Sequence, residues 1–342
     1  MKFTPLTQRR LSLFKANKRG YISLFIFAFI FIITTCAEFI ANDKPLLVYY
    51  DGGLYSPVVK AYPETFWGGT FETEADYRDP VVQDLIRQKG WYLFPLIPYS
   101  YNTVNYNLDS PAPSRPTSDN WLGTDDQGRD LLTRLIYGTR ISIWFGLILT
   151  FFAMLIGISV GGIQGYFGGK VDLYVQRFIE IWAGLPILYL LMILSSMVQP
   201  SFWWLLGIML LFGWMNLVAV VRAEFFRTRS LDYVRAAESL GVSNFNIMRR
   251  HILPNAMVAT ITYLPFIINA SITTLTSLDF LGFGLPPGSP SLGELITQAK
   301  NNVHATWLVM AGFMSLAIIL SLLVFIGEAV RDAFDPRKAV AK

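Results

Sequence analysis

A chain of 342 residues that is 53% hydrophobic and only 15% charged lies well below the roughly 25% charge of a soluble globular domain. Composition therefore excludes a single soluble domain and points to an all-α, multi-span membrane protein. The net charge of +4 suits loops that meet anionic headgroups, so membrane lipid is an expected partner and nucleic acid is not.

Crossing a hydrocarbon core takes roughly 20 apolar residues as helix. Runs of that kind predict six transmembrane helices, near residues 21–40, 140–167, 173–198, 203–224, 255–278 and 306–328. Lys2, Arg9, Arg10, Lys15, Lys18 and Arg19 fill an N-terminal tail, 1–20, ahead of the first. Because the cytoplasmic side holds the lysine and arginine excess, that tail is placed inside. Six crossings return the basic C-terminal tail, 331–342, to the same side. The first run, YISLFIFAFIFIITT, is longer than a signal-peptide core and is read as an uncleaved anchor. Cys36 is the single cysteine, and His251 and His304 are too far apart in sequence to suggest a metal cluster.

Between the first and second spans, residues 41–138 form an extracytoplasmic insert, acidic and tyrosine-rich. Its Pro, Asn and Ser content predicts irregular loop with turns around at most a small core. At its end Thr124 or Asp125 can cap a helix whose stripe is Leu131, Leu132, Leu135 and Ile136, with Arg134 on the polar side. Such a helix is expected to lie along the membrane face. Residues 139–330 hold the five remaining spans. Gly157, Gly161 and Gly165 give the second span a smooth face for close packing. The following GYFGGKVD fails as a phosphate-binding loop, because Gln164 stands where the first glycine belongs and Val171 where the hydroxyl belongs. It reads as a turn, and no nucleotide cofactor is expected on this chain.

The segment at 230–253, within DYVRAAESLGVSNFNIMRRHILPN, is too polar to span. Asp232 can cap a short helix on which Tyr233, Ala236, Ala237 and Leu240 share a face. Arg235, Glu238 and Ser239 point elsewhere. Gly241 suits a left-handed cap. Val242 and Ile247 flank Ser243 as a hydrophobic staple, and Pro254 is expected to end the second helix and open the next span. The product is a stiff helix-turn-helix bracket.

The pattern Ala236, Ala237, Gly241, Leu253, Pro254 resembles the EAA motif of ABC-importer permease subunits, with Arg235 and His251 departing from its general form. The segments LGTDDQGRDLLTRLIYGTRIS, GYFGGKVDLYVQRFIEIWAGLP, SLDFLGFGLPPGSPSLGELI and GEAVRDAFDPR resemble signatures of the oligopeptide and dipeptide class of these permeases. The insert is similar to that of permeases importing peptides and microcin C. The resemblance implies a type I ABC-importer permease fold in the bacterial inner membrane. It also implies a heterodimeric second permease, a periplasmic peptide-binding protein, and ATP with Mg held by a separate or fused ATPase. Asp232, Tyr233, Arg235, Ala236, Ala237, Glu238, Ser239, Leu240 and Gly241 would form the ATPase-coupling surface, and Ala237→Asp is expected to abolish uptake without blocking insertion. An ion-coupled secondary transporter is the competing class. Against it, the span centres lack the ionisable residue such proteins use. Glu180, the one candidate, follows Arg177 by three residues and is read as its ion-pair partner.

Overall fold

The computed structural model describes residues 5–335. Lys2, Arg337, Lys338 and Lys342, which entered the charge argument, lie outside the described residues, as does the end of GEAVRDAFDPR. Among the described residues, five helical runs are long and apolar enough to cross a membrane: Lys18–Thr35, Leu131–Phe167, Phe202–Arg229, Asn244–Phe280 and Thr306–Phe334. The expected third span, near 173–198, falls on a pair, Gly169–Ala183 and Ile187–Leu194, bent by 65°. The break falls at Gly184, Leu185 and Pro186, where the proline ring removes one donor and biases Leu185 away from helix.

In chain order the elements begin with α1 (Pro5–Ala16), α2 (Lys18–Thr35), α3 (Ala37–Ile40), β1 (Leu47–Tyr50), β2 (Gly53–Tyr55), α4 (Pro80–Lys89) and β3 (Gly90–Leu93). There follow α5 (Leu131–Phe167), α6 (Gly169–Ala183), α7 (Ile187–Met197), α8 (Phe202–Gly213), α9 (Met215–Arg229) and α10 (Asp232–Ser239). Then come α11 (Asn244–Asn246), a π-helical stretch Ile247–Ile252, α12 (Leu253–Phe280), α13 (Leu292–Asn301) and α14 (Thr306–Phe334).

The chain divides into two compact units. One comprises Met1–Ala28, Ser142–Pro286 and Ala317–Lys342. Its packing confirms the glycine strip on α5. A Cβ on Gly161 would stand 2.9 Å from the Val218 carbonyl oxygen, and one on Gly165 2.6 Å from Phe225 Cβ. The backbones of α5 and α9 thus approach as closely as bare glycine permits. Beside this strip, Leu217, Val221, Phe225, Ile247, Ile252 and Ala256 form one buried cluster, and Phe145, Leu149, Leu205, Met209 and Leu275 belong to another. The GYFGGKVD turn is tight, with Gly168 and Gly169 both at positive φ (64° and 53°).

The other unit comprises Phe29–Ile141 and Pro287–Leu316. Here the irregular-loop expectation needs correction, because the insert folds around an antiparallel sheet of order β2-β1-β3. Tyr49 lies opposite both Leu54 and Trp91, so one face alternates with a second face of Val48 and Tyr50. That second face packs on Trp67, Tyr77, Val82 and Ile86. Trp67 Nε1 donates to the Tyr77 hydroxyl at 3.2 Å. Burial pushes the Tyr77 phenol up to about 12, so it stays a neutral member of the core.

Two further expectations change at the start of α5. The stripe from Leu131 onward does not form a separate surface helix but is the first part of a single 37-residue helix. At 1.5 Å per residue this helix is about 55 Å long, well beyond the ~30 Å hydrocarbon core. Thr133, Arg134, Thr139 and Arg140 cluster in its first turns, which marks that end as the overhang. The cap is neither Thr124 nor Asp125 but Asp130, whose Oδ1 accepts the Thr133 N–H at 2.8 Å.

Candidate functional site

α10 begins without a side-chain cap. Leu231 occupies the cap position, and Asp232 stands at the first helical residue, where its charge complements the helix dipole instead. The far end matches the expected left-handed stop. Gly241 has φ 78°, its N–H reaches the Glu238 carbonyl at 2.9 Å, and the Val242 N–H reaches that of Ala237 at 3.1 Å. This pair of bonds is a Schellman motif. Val242 and Ile247 both join the surrounding apolar cluster, as a staple requires, although the Ser243 hydroxyl makes no capping bond.

The expected shared face divides in two. Val234 (2% exposed) and Ala237 (7%) turn inward against Val221, Phe225, Ile247 and Ile252. Tyr233, Arg235, Ala236, Glu238, Ser239, Leu240 and Gly241 are exposed, Leu240 by 84%. Ala237 is therefore a packing residue of the bracket and not part of its outer surface. A one-residue error in the assumed face suffices, because adjacent helical positions are turned by about 100°.

Several polar contacts fasten the bracket. The Tyr233 hydroxyl donates to the His251 carbonyl at 3.3 Å and accepts from Asn255 Nδ2 at 2.8 Å. The Tyr166 hydroxyl donates to Asn244 Oδ1 at 2.9 Å, and Arg229 Nη1 donates to the Tyr166 carbonyl at 2.8 Å. Below it, Arg222 holds Asp172 in a bidentate pair of 2.6 and 2.7 Å, tying α9 to α6. Pro254 does not end the second arm. The arm runs through the π-helical stretch into α12 as one helical run, Asn244–Phe280. The wider turn passes the position where proline lacks an N–H. Glu180 pairs with Arg177 at 2.6 Å, as the sequence suggested.

Sequence reasoning missed a second constellation, in the unit built from Phe29–Ile141 and Pro287–Leu316. Arg134, expected on a polar face, is 0% exposed. Its Nη2 lies 3.0 Å from Glu294 Oε2, and its Nε lies 3.3 Å from Asp125 Oδ2, off the line of a hydrogen bond. Its guanidinium also donates to the carbonyls of Tyr101, Gly288 and Ser289. Arg129 pairs with Asp125 at 2.7 Å and with Glu294 at 3.3 Å. Burial, then the neighbouring Asp125 charge, raise the Asp126 carboxyl above its ordinary value, and Arg129 opposes them. The available signal was the density of charge in LGTDDQGRDLLTR beside an apolar helix; Glu294 lies too far along the chain for spacing to reveal it.

Among the described residues five helical runs have membrane-crossing length, and the short bracket at α10 stands between two of them. Residues 134–340 match the family described as binding-protein-dependent transport system inner membrane component, and the chain belongs to that family. The inner membrane ABC transporter permease protein YejE of Escherichia coli K12 is 58% identical over 339 residues, covering 99% of each chain. The peptidoglycan transport system permease protein YejE of Agrobacterium fabrum is 54% identical, covering 98% of this chain and 94% of that one. The oligopeptide transport system permease protein OppC of Lactococcus lactis IL1403 is 33% identical over 72% of this chain and 86% of its own. Among solved structures, one of the MetNI methionine ABC transporter is a partial likeness, at 16% identity and a TM-score of 0.47 over 58% of this chain and 96% of that one. The protein is thus a multi-pass inner-membrane permease subunit of an ABC importer, and the ion-coupled alternative finds no support among these relatives.

Proposed function

We propose that this permease forms half of a translocation path for peptides and is driven through α10 by an ATPase carried on a separate or fused partner. The path's other half is a second permease subunit, and a periplasmic binding protein delivers the cargo. Peptide cargo rests on relatives named for oligopeptide and peptidoglycan transport; peptide–nucleotide compounds such as microcin C belong to the same chemical class. The observation that carries the coupling role is the exposed row Tyr233, Ala236 and Leu240 on a helix whose inner side is locked into the bundle. Small and apolar residues on a stiff support suit a docking cleft, since little side-chain entropy is lost on contact.

The test is ATP-dependent uptake of a labelled peptide by the assembled complex in proteoliposomes. Leu240→Asp places a charge at the contact centre and is expected to weaken ATPase docking by about 2 kcal/mol or more, roughly thirtyfold. Uptake falls accordingly while the second permease still co-purifies. Uptake at the wild-type rate in Leu240→Asp and Ala236→Asp alike would refute the coupling role. Ala237→Asp no longer serves, because it buries a charge in the bracket's own core.

A further inference from the structure

Along the outer side of the bracket's second arm runs a groove of about 580 Å³, within the range of small-ligand sites. Its walls are Ile158, Gly162 and Ile163 of α5, Phe225 of α9, and Met248 and Leu253 of the arm. Three polar side chains reach it: Ser159, Asn244 and Arg249. The Ser159 hydroxyl is spent on the Leu155 carbonyl at 2.7 Å, and Asn244 Oδ1 already accepts the Tyr166 hydroxyl. Arg249 is exposed, and among the described residues no carboxylate stands within ion-pair distance of it.

The walls belong to helical runs long and apolar enough to cross a membrane, Leu131–Phe167, Phe202–Arg229 and Asn244–Phe280, and they meet the arginine-bearing bracket at Arg249, the setting in which acyl chains and headgroups adjoin. An apolar trough with one unpaired cation is the complement of an anionic amphiphile. We propose that the groove binds an acyl chain of an anionic phospholipid whose phosphate is held by Arg249. Arg249 sits within the π-helical stretch, so the same irregular turn that passes Pro254 forms part of the groove.

The proposal is tested by placing photoreactive p-benzoylphenylalanine at Ile163, which is 45% exposed, in cells expressing the assembled complex. Illumination of the native membranes is followed by mass analysis of the adducts. Phospholipid adducts enriched in phosphatidylglycerol or cardiolipin over phosphatidylethanolamine, relative to bulk membrane, are expected. Arg249→Gln should cut that enrichment about fivefold, the effect of one cation at an anionic surface. Arg250→Gln, a neighbouring exposed arginine outside the lining, should leave it unchanged. Adducts to another polypeptide, lipid adducts in bulk proportions, or equal loss from the two arginine variants would each overturn the proposal. Reading the adduct keeps this test independent of ATPase docking.

Discussion

Arg134 places a guanidinium where water does not reach, held by carboxylates from two distant stretches and by three carbonyls. Removing one member of such a network is costly because its partners stay buried and charged. Arg134→Met is therefore expected to destabilise the chain by about 3–5 kcal/mol, read as a large fall in thermal midpoint in detergent; a midpoint within error of wild type would contradict it. Asp126 behaves in the opposite sense. Its Oδ1 is buried without a hydrogen-bond partner, and its folded pKa is raised above the ordinary 3.8. Between those two values the folded state binds more protons than the unfolded one, so stability declines as pH rises through the window and stays lowered above it. Asp126→Asn removes that penalty. The variant should melt higher than wild type at neutral pH and show a flatter pH dependence on the acid side. Parallel melting curves at every pH would show that the carboxyl is not penalised.

Elements reveal which physical rules the sequence carried openly. Gly157, Gly161 and Gly165 could be read as a packing strip because lipid supplies no competing reason for three small residues at that spacing. Gly241 was legible for a similar reason: a left-handed cap is a local demand of the backbone. The face of α10 was not, because Val234 and Ala237 are chosen by a cluster drawn from α9, the π-helical stretch and α12. β1 and β3 were hidden too, since their residues are apolar on alternate faces and Tyr-rich on both, leaving no clean period of two. The continuity of the arm through Pro254 depends on a widened turn that composition does not announce. The glycine strip yields a paired expectation. Gly165→Ala puts a methyl 2.6 Å from Phe225 Cβ and 2.7 Å from the Arg222 carbonyl oxygen, which overpacks the contact and costs about 1–3 kcal/mol. Gly207→Ala meets nothing within 4 Å and should gain up to about 1 kcal/mol from helix propensity. Thermal midpoints of the two variants shifting in the same direction would disprove the account.

At the scale of the molecule, parity yields a prediction for the bent pair α6–α7. Arg10 of α1 lies over the Phe334 ring at 4.5 Å, and Gly20, near the start of α2, packs against Ala329 of α14. The start of α2 thus lies beside the last part of α14, the arrangement expected of an even number of crossings. Five continuous runs are odd, so an even count predicts that the bent pair supplies the sixth crossing as a broken span. An even count predicts that the insert, met after one crossing, and the bracket, met after four, are accessible from opposite sides. The orientation is predicted from charge: Arg9, Arg10, Lys15 and Lys18 on one stretch and Arg227, Arg229, Arg235, Arg249 and Arg250 on another all favour the cytoplasmic face. With Cys36→Ser removing the single native thiol, Val59→Cys and Leu240→Cys offer well-exposed probes, at 74% and 84% exposure of the native side chains. A membrane-impermeant maleimide should label Val59→Cys in intact spheroplasts and reach Leu240→Cys only after permeabilisation. Labelling of both before permeabilisation would break the even count and return α6–α7 to a re-entrant segment. Labelling of Leu240→Cys alone would keep the count but reverse the orientation, and an ATPase confined to the cytoplasm could then not reach α10.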